Sequence, residues 1–111
     1  MATITPVTPD LDGEQFSPTA AAGGGDQFAN TGSERFYIKN GDASSHDVTF
    51  DCPNACSFGV TNAAHDVTVS VPAGEEYLIG PFPKGRFNDV NGFVQVTYSA
   101  VTSVTVGVIK P

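Results

Sequence analysis

Between Glu34 and the end of the chain, apolar side chains recur at every second residue. Phe36 and Ile38 alternate with Tyr37 and Lys39, and Val48 and Phe50 with Thr49 and Asp51. Val67, Val69 and Val71 alternate with Thr68 and Ser70; Val94, Val96 and Tyr98 with Gln95 and Thr97; Val104, Val106 and Val108 with Thr105 and Gly107. Tyr77-Leu78-Ile79 adds a sixth short apolar run. A period of two places alternate side chains on one face of an extended chain, which marks half-buried antiparallel strands. Composition agrees: the 111 residues include 13 Val and 11 Thr but only 2 Leu. β-branched side chains lose rotamer freedom on a helix and pack well on a pleated sheet. The expected fold is therefore all-β, an antiparallel β-sandwich of jelly-roll-like or Ig-like form.

Turn signals divide these runs. Asn40-Gly41 and Asn91-Gly92 adopt left-handed turn conformations at low steric cost, and Pro72-Ala73-Gly74 separates residues 67–71 from 75–80. Weaker strand patterns lie near residues 2–8, 26–29, 57–61 and 84–88. The first 33 residues differ in character. Pro6, Pro9 and Pro18 each remove a backbone donor, and Ala20-Ala21-Ala22-Gly23-Gly24-Gly25 disfavours a helix and suggests a mobile connection. Residues 1–33 are thus expected to form an extended N-terminal arm or a peripheral pair of strands, not a second domain, with the sandwich occupying 34–111. Ile4, Val7, Leu11 and Phe16 are the arm's candidate anchors for contact with another protein.

Five basic against twelve acidic side chains give a formal charge of −7. Such a surface repels phosphates and anionic headgroups, so neither nucleic acid nor a membrane is an expected partner. The N-terminal residues Met1-Ala2-Thr3-Ile4-Thr5-Pro6 have neither the basic nor the apolar stretch of a secretory signal, which implies synthesis in a cytoplasm. Cys52-Pro53-Asn54-Ala55-Cys56 lacks the second cysteine pair of a zinc site and the spacing of a redox pair. It suits either two small thiols at a strand end or a local disulfide between Cys52 and Cys56. His46-Asp47 and His65-Asp66 place each His beside an acid, but sequence neighbours on a strand face opposite ways, so both read as exposed strand starts. The scattered aspartates form no calcium-loop pattern. No catalytic residue, cofactor or metal is expected. Gly80-Pro81-Phe82-Pro83-Lys84-Gly85-Arg86-Phe87-Asn88-Asp89 has two readings. One is a contact loop using Phe82, Arg86 and Phe87. The other, slightly favoured, is a crossing between sheets whose rings fill the core.

Several of these stretches together have a familiar form: Val67-Thr68-Val69-Ser70-Val71-Pro72-Ala73-Gly74-Glu75, Gly80-Pro81-Phe82-Pro83, Arg86-Phe87-Asn88-Asp89, and Lys39-Asn40-Gly41 ahead of Val48-Thr49-Phe50. With the closing Val-Thr-Tyr and Val-Thr-Val runs, residues 30–111 resemble small structural proteins of tailed-phage virions, the capsid decoration or cement proteins. The resemblance implies a non-enzymatic protein of the virion surface, made in the host cytoplasm, that binds the major capsid protein as a homo-oligomer, a trimer or dimer. The arm and the sheet edges would supply contacts by strand addition. An alternative is a carbohydrate- or receptor-binding module of a head or tail fibre, with Tyr37, Tyr77 and Tyr98 as stacking rings. Their exposure together in a groove would favour it. A small hydrolase has only two His to serve a nucleophile and is disfavoured.

Overall fold

The alternating apolar positions become the inner faces of two sheets. The computed structural model describes residues 2–52 and 66–110. Among them, the strands are β1 (Ala2–Ile4), β2 (Thr19–Ala20), β3 (Asp26–Ala29), β4 (Arg35–Asn40), β5 (His46–Phe50), β6 (Val67–Val71), β7 (Glu76–Ile79), β8 (Phe93–Tyr98) and β9 (Val104–Ile109). One helical turn, α1 (Lys84–Phe87), lies between β7 and β8. The order β1-β3-β8-β5-β6 makes a five-stranded sheet, and β2-β9-β4-β7 a four-stranded one. Ladders are antiparallel except β1 with β3. The all-β sandwich expected from the valine spacing is the fold observed.

Between the sheets, Phe36 and Ile38 of β4 and Val104, Val106 and Val108 of β9 meet Phe28, Val48, Phe50, Val94 and Val96 of the other layer. The phenylalanines form a closed circuit. Phe28–Phe36, Phe36–Phe50, Phe50–Phe82 and Phe82–Phe28 have ring centroids 5.9, 5.2, 4.7 and 5.6 Å apart. Phe87 joins from α1, edge-on to Phe82 at 5.4 Å. These separations lie in the favourable range for aromatic pairs.

Three expectations are corrected. First, residues 1–33 are not an arm beside the sandwich. They supply β1 and β3 to one sheet and β2 to the other, and Phe28 is fully buried. The glycines form a tight turn rather than a mobile link: Gly25 N–H donates to Ala22 at 2.9 Å, and a Cβ on Gly25 would stand 2.7 Å from the Val96 carbonyl. Short strands like these are dictated by the register of their neighbours, which local composition does not report. The N-terminal segment also changes sheets. β1 pairs with β3, whereas Val7 bridges Ile109 through Val7 N–H to the Val108 carbonyl (2.8 Å) and Lys110 N–H to the Val7 carbonyl (2.9 Å). Pro6 falls between the two pairings, where no ladder donor is called for.

Second, residues 84–88 hold a helical turn instead of a strand. Arg86 and Phe87 N–H groups both donate to the Pro83 carbonyl, and Pro83, with φ fixed at −58°, starts the turn. Third, His46 is buried rather than an exposed strand start. Its Nε2 stands 2.9 Å from Asp42 Oδ2, so its acidic partner is four residues back and not the adjacent Asp47. That contact and a hydrogen bond from Ala43 N–H hold the Asp42 carboxyl below its usual range. The weak strand expected at 57–61 lies outside the described residues, as do Cys56 and His65.

Candidate functional site

The outer face of the four-stranded sheet carries several apolar side chains that the core does not use. On β4, Arg35, Tyr37 and Lys39 point outward, because Phe36 and Ile38 point in. Register places Tyr37 between Gly107 of β9 and Leu78 of β7. Cross-strand neighbours share a face, so Tyr37, Gly107 and Leu78 form one row. Gly107 leaves a gap in that row, and Phe16 fills it. A Cβ on Gly107 would lie 2.6 Å from the tip of the Phe16 ring. The same ring stands edge-on to Tyr37, with centroids 5.1 Å apart at 88°.

Phe16, Tyr37, Glu76, Tyr77, Leu78 and Ile109 together line a groove of about 430 Å³. Leu78 is 63% exposed there. The Tyr37 hydroxyl donates to Glu76 Oε2 at 3.0 Å, and Lys39 Nζ stands 4.0 Å from the other oxygen. Burial and the adjacent Glu76 carboxylate push the Tyr37 phenol above its usual value. A phenol in this setting keeps its proton and acts as a donor. The groove therefore offers apolar walls, a phenol donor and one carboxylate.

The candidate contact residues fall into two groups. Phe16 and Leu11 are available at the surface, Leu11 completely so, and Val7 is half-buried in its bridge to Ile109. Ile4, Phe82 and Phe87 are buried in the core, which corrects their reading as contact residues and supports the crossing-segment alternative for residues 80–89. Arg86 is exposed, with its guanidinium 5.0 Å from the Phe87 ring centroid. Cys52 is buried, and its thiol reaches the Arg86 carbonyl at 3.3 Å. A bond from Cys52 to Cys56 falls outside the described residues. Of the three tyrosines, Tyr37 stands on the outer face, and Tyr77, which borders the groove, lies opposite inward Ile38 and packs against the core. Tyr98 also packs against the core, donating to buried Asp26 at 2.6 Å, and burial together with that carboxylate raises its phenol strongly.

On the opposite sheet, burial together with Asp66 and Asp89 pushes the Asp51 carboxyl up. Among the described residues, no set of three or more His, Cys, Asp or Glu side chains could hold a metal ion, and no helix is long and apolar enough to cross a membrane. No family model, curated protein or solved structure matches the chain.

Tyr37 was named only as a stacking ring of the carbohydrate-binding alternative, and Leu78 and Ile109 not at all as site residues, yet one signal pointed to them. Gly107 interrupts an otherwise continuous Val-Thr strand, and such a glycine marks close approach by another group. Filling that position tests the arrangement. Gly107→Ala is expected to lift Phe16 off the sheet and cost about 1–2 kcal/mol in lost ring burial and aromatic contact. Chemical denaturation measures the loss, and the ring-current shift on the Tyr37 resonances reports the displaced ring. Unchanged Tyr37 shifts would contradict the packing described.

Proposed function

We propose that this protein is a non-enzymatic virion component, a decoration protein that adheres to the outer surface of a phage capsid and stabilises it. Its partner is the major capsid protein, which it meets through the outer face of the four-stranded sheet. The observation that carries this reading is the exposed apolar groove around Leu78 on an otherwise acidic molecule. Buried apolar area drives protein association, and uncovered apolar patches of this kind mark contact surfaces. Leu11, five residues before Phe16 in the chain, is a further fully exposed apolar side chain. Shell symmetry repeats each contact many times, so an individually weak patch suffices once several engage together. The resemblance of residues 30–111 to decoration proteins supports the same assignment.

Cosedimentation with purified shells tests it. The wild-type protein is expected to pellet with mature shells in preference to unexpanded precursors. Leu11→Asp and Ile109→Asp should each lower occupancy about tenfold, equivalent to roughly 1.4 kcal/mol per site. Failure of the wild-type protein to pellet with either shell form would defeat the proposal.

A second reading, recognition of a carbohydrate, draws support from the Tyr37 ring lining the groove beside the Glu76 carboxylate. Aromatic faces and a carboxylate acceptor suit a sugar's apolar and hydroxyl surfaces. Saturation-transfer NMR against a glycan panel separates the two readings: transfer that Tyr37→Ala abolishes would select the sugar-binding one.

A further inference from the structure

The outer edge of β7 carries the inference. β7 ends its sheet, and among the described residues no strand pairs with its far side. Hydrogen-bonding direction alternates along an antiparallel strand, and two bonds establish the phase. Gly41 N–H donates to the Ser103 carbonyl, so odd-numbered residues of β4 face β9. Asn40 N–H donates to the Glu75 carbonyl, so even-numbered residues of β4 face β7 and are met there by odd-numbered ones. Glu76 and Leu78 therefore direct their amides and carbonyls away from the sheet. Edge strands are ordinarily guarded by Lys, Pro, a bulge or brevity. β1 and β2 are guarded by being 3 and 2 residues long. β6 exposes Thr68 and Ser70, both polar. β7 has neither Lys nor Pro within Glu76–Ile79, and it presents Leu78.

We propose that β7 pairs antiparallel with β7 of a second copy of this chain, about a two-fold axis through Leu78, joining two four-stranded sheets into one of eight strands. Residues facing each other across an antiparallel ladder lie on the same face, which admits Leu78 opposite the partner's Leu78. Each leucine donates its outward amide to the other's carbonyl. Tyr77 then faces the partner's Ile79, and Glu76 faces the partner's Gly80.

Charge complementarity selects a second copy as the occupant. Continuing the register of Phe36 with Ile79 puts Arg35 beside Gly80, and a Cβ on Gly80 would indeed lie 3.3 Å from the Arg35 Cα. In the paired sheet the row reads Lys39, Glu76, the partner's Gly80, the partner's Arg35. Glu76 and the partner's Arg35 are two strand spacings apart, roughly 10 Å between backbones, with no side chain between them. The exposed guanidinium can reach across the bare glycine to the carboxylate, once on each side of the axis. A parallel arrangement would instead stack Glu76 on the partner's Glu76. The two-fold arrangement is isologous, as closed dimers require, and it brings both Leu78 side chains and both grooves onto one continuous face.

The inference concerns the isolated protein and stands whether or not a capsid is the target. Sedimentation equilibrium without shells tests it. The wild-type chain is expected to show twice the monomer mass. Leu78→Pro removes the outward donor without breaking a β4 ladder bond, because Leu78 N–H takes no part in that ladder, and it should weaken dimerisation at least tenfold. Leu78→Lys, at a position largely exposed in the isolated chain, should do the same. Arg35→Glu should weaken the dimer, and adding Glu76→Arg to it should restore it. A monomeric wild-type protein would overturn the proposal. So would an unchanged dimer in both Leu78 variants.

Discussion

Phe50→Ala is expected to remove about 3–5 kcal/mol of stability, the range for truncating a fully buried aromatic ring. A domain of this size has roughly 5–15 kcal/mol in total, so the variant should unfold at markedly lower denaturant concentration. The cost is placed at the upper end by the ring's position. Phe50 touches Phe36 of the opposite sheet at 5.2 Å and Phe82 of the crossing segment at 4.7 Å. Its loss opens the aromatic circuit at two points and leaves a void between layers that the sheets, held by their ladders, cannot close. Urea unfolding followed by circular dichroism measures the change. A loss below about 1 kcal/mol, typical of an unremarkable site, would show that the rings do not form this circuit.

The second large effect belongs to Glu34, only 2% exposed although it carries a carboxylate. Burial alone would raise its pKa, but Thr31 N–H at 2.8 Å, the Thr31 hydroxyl at 2.9 Å and Ser33 N–H at 3.3 Å outweigh that cost and hold the carboxyl below its usual value. Glu34→Ala strands these donors, so a loss of about 2–3 kcal/mol is expected near neutral pH. The pH dependence has a definite sign. A carboxyl whose folded pKa is lowered contributes fully above its unfolded value, about 4.3, and its contribution disappears as pH falls through the lower folded value. The gap between wild type and variant should therefore narrow in acid. Asp42 and Asp89, also lowered, act in the same sense. Asp51, which is raised, acts oppositely: it favours the folded state most when protonated, an advantage fully present below its unfolded value and lost as pH rises through the higher folded value. Stability curves across the acid range for Glu34→Ala and Asp51→Asn should accordingly diverge from wild type in opposite directions at neutral pH.

What the sequence made legible follows from how strands report themselves. A strand with one face in the core repeats its apolar residues every second position, and β4, β5, β6, β8 and β9 all do so. β3 was visible as a weak pattern because Phe28 lies among polar neighbours. β2 was invisible: two residues between Pro18 and a glycine run carry no period, and only the β9 ladder makes them a strand. The helical turn at 84–87 was misread because Phe82 and Phe87 are both buried, and their spacing does not distinguish a strand from a turn that returns to the core. For the candidate site, Phe16 was legible as a surface aromatic, but its seat on Gly107 is a contact across 91 positions of chain. Leu78 looked like an ordinary strand residue, since exposure on an edge depends on which strand ends the sheet, and that order is a property of the assembled fold.

The place of β9 bears on how the protein is made. This strand comes last in chain order, yet it lies inside its sheet, with β4 on one side and β2 and Val7 on the other. During synthesis the β4–β7 pair can form early, but the other edge of β4 stays unpaired until residues 104–109 emerge. Non-local pairing of this kind slows folding and prolongs exposure to self-association. A ribosome-stalled chain ending before Val104 should consequently bind holding chaperones, and release from them should coincide with the appearance of the final strand.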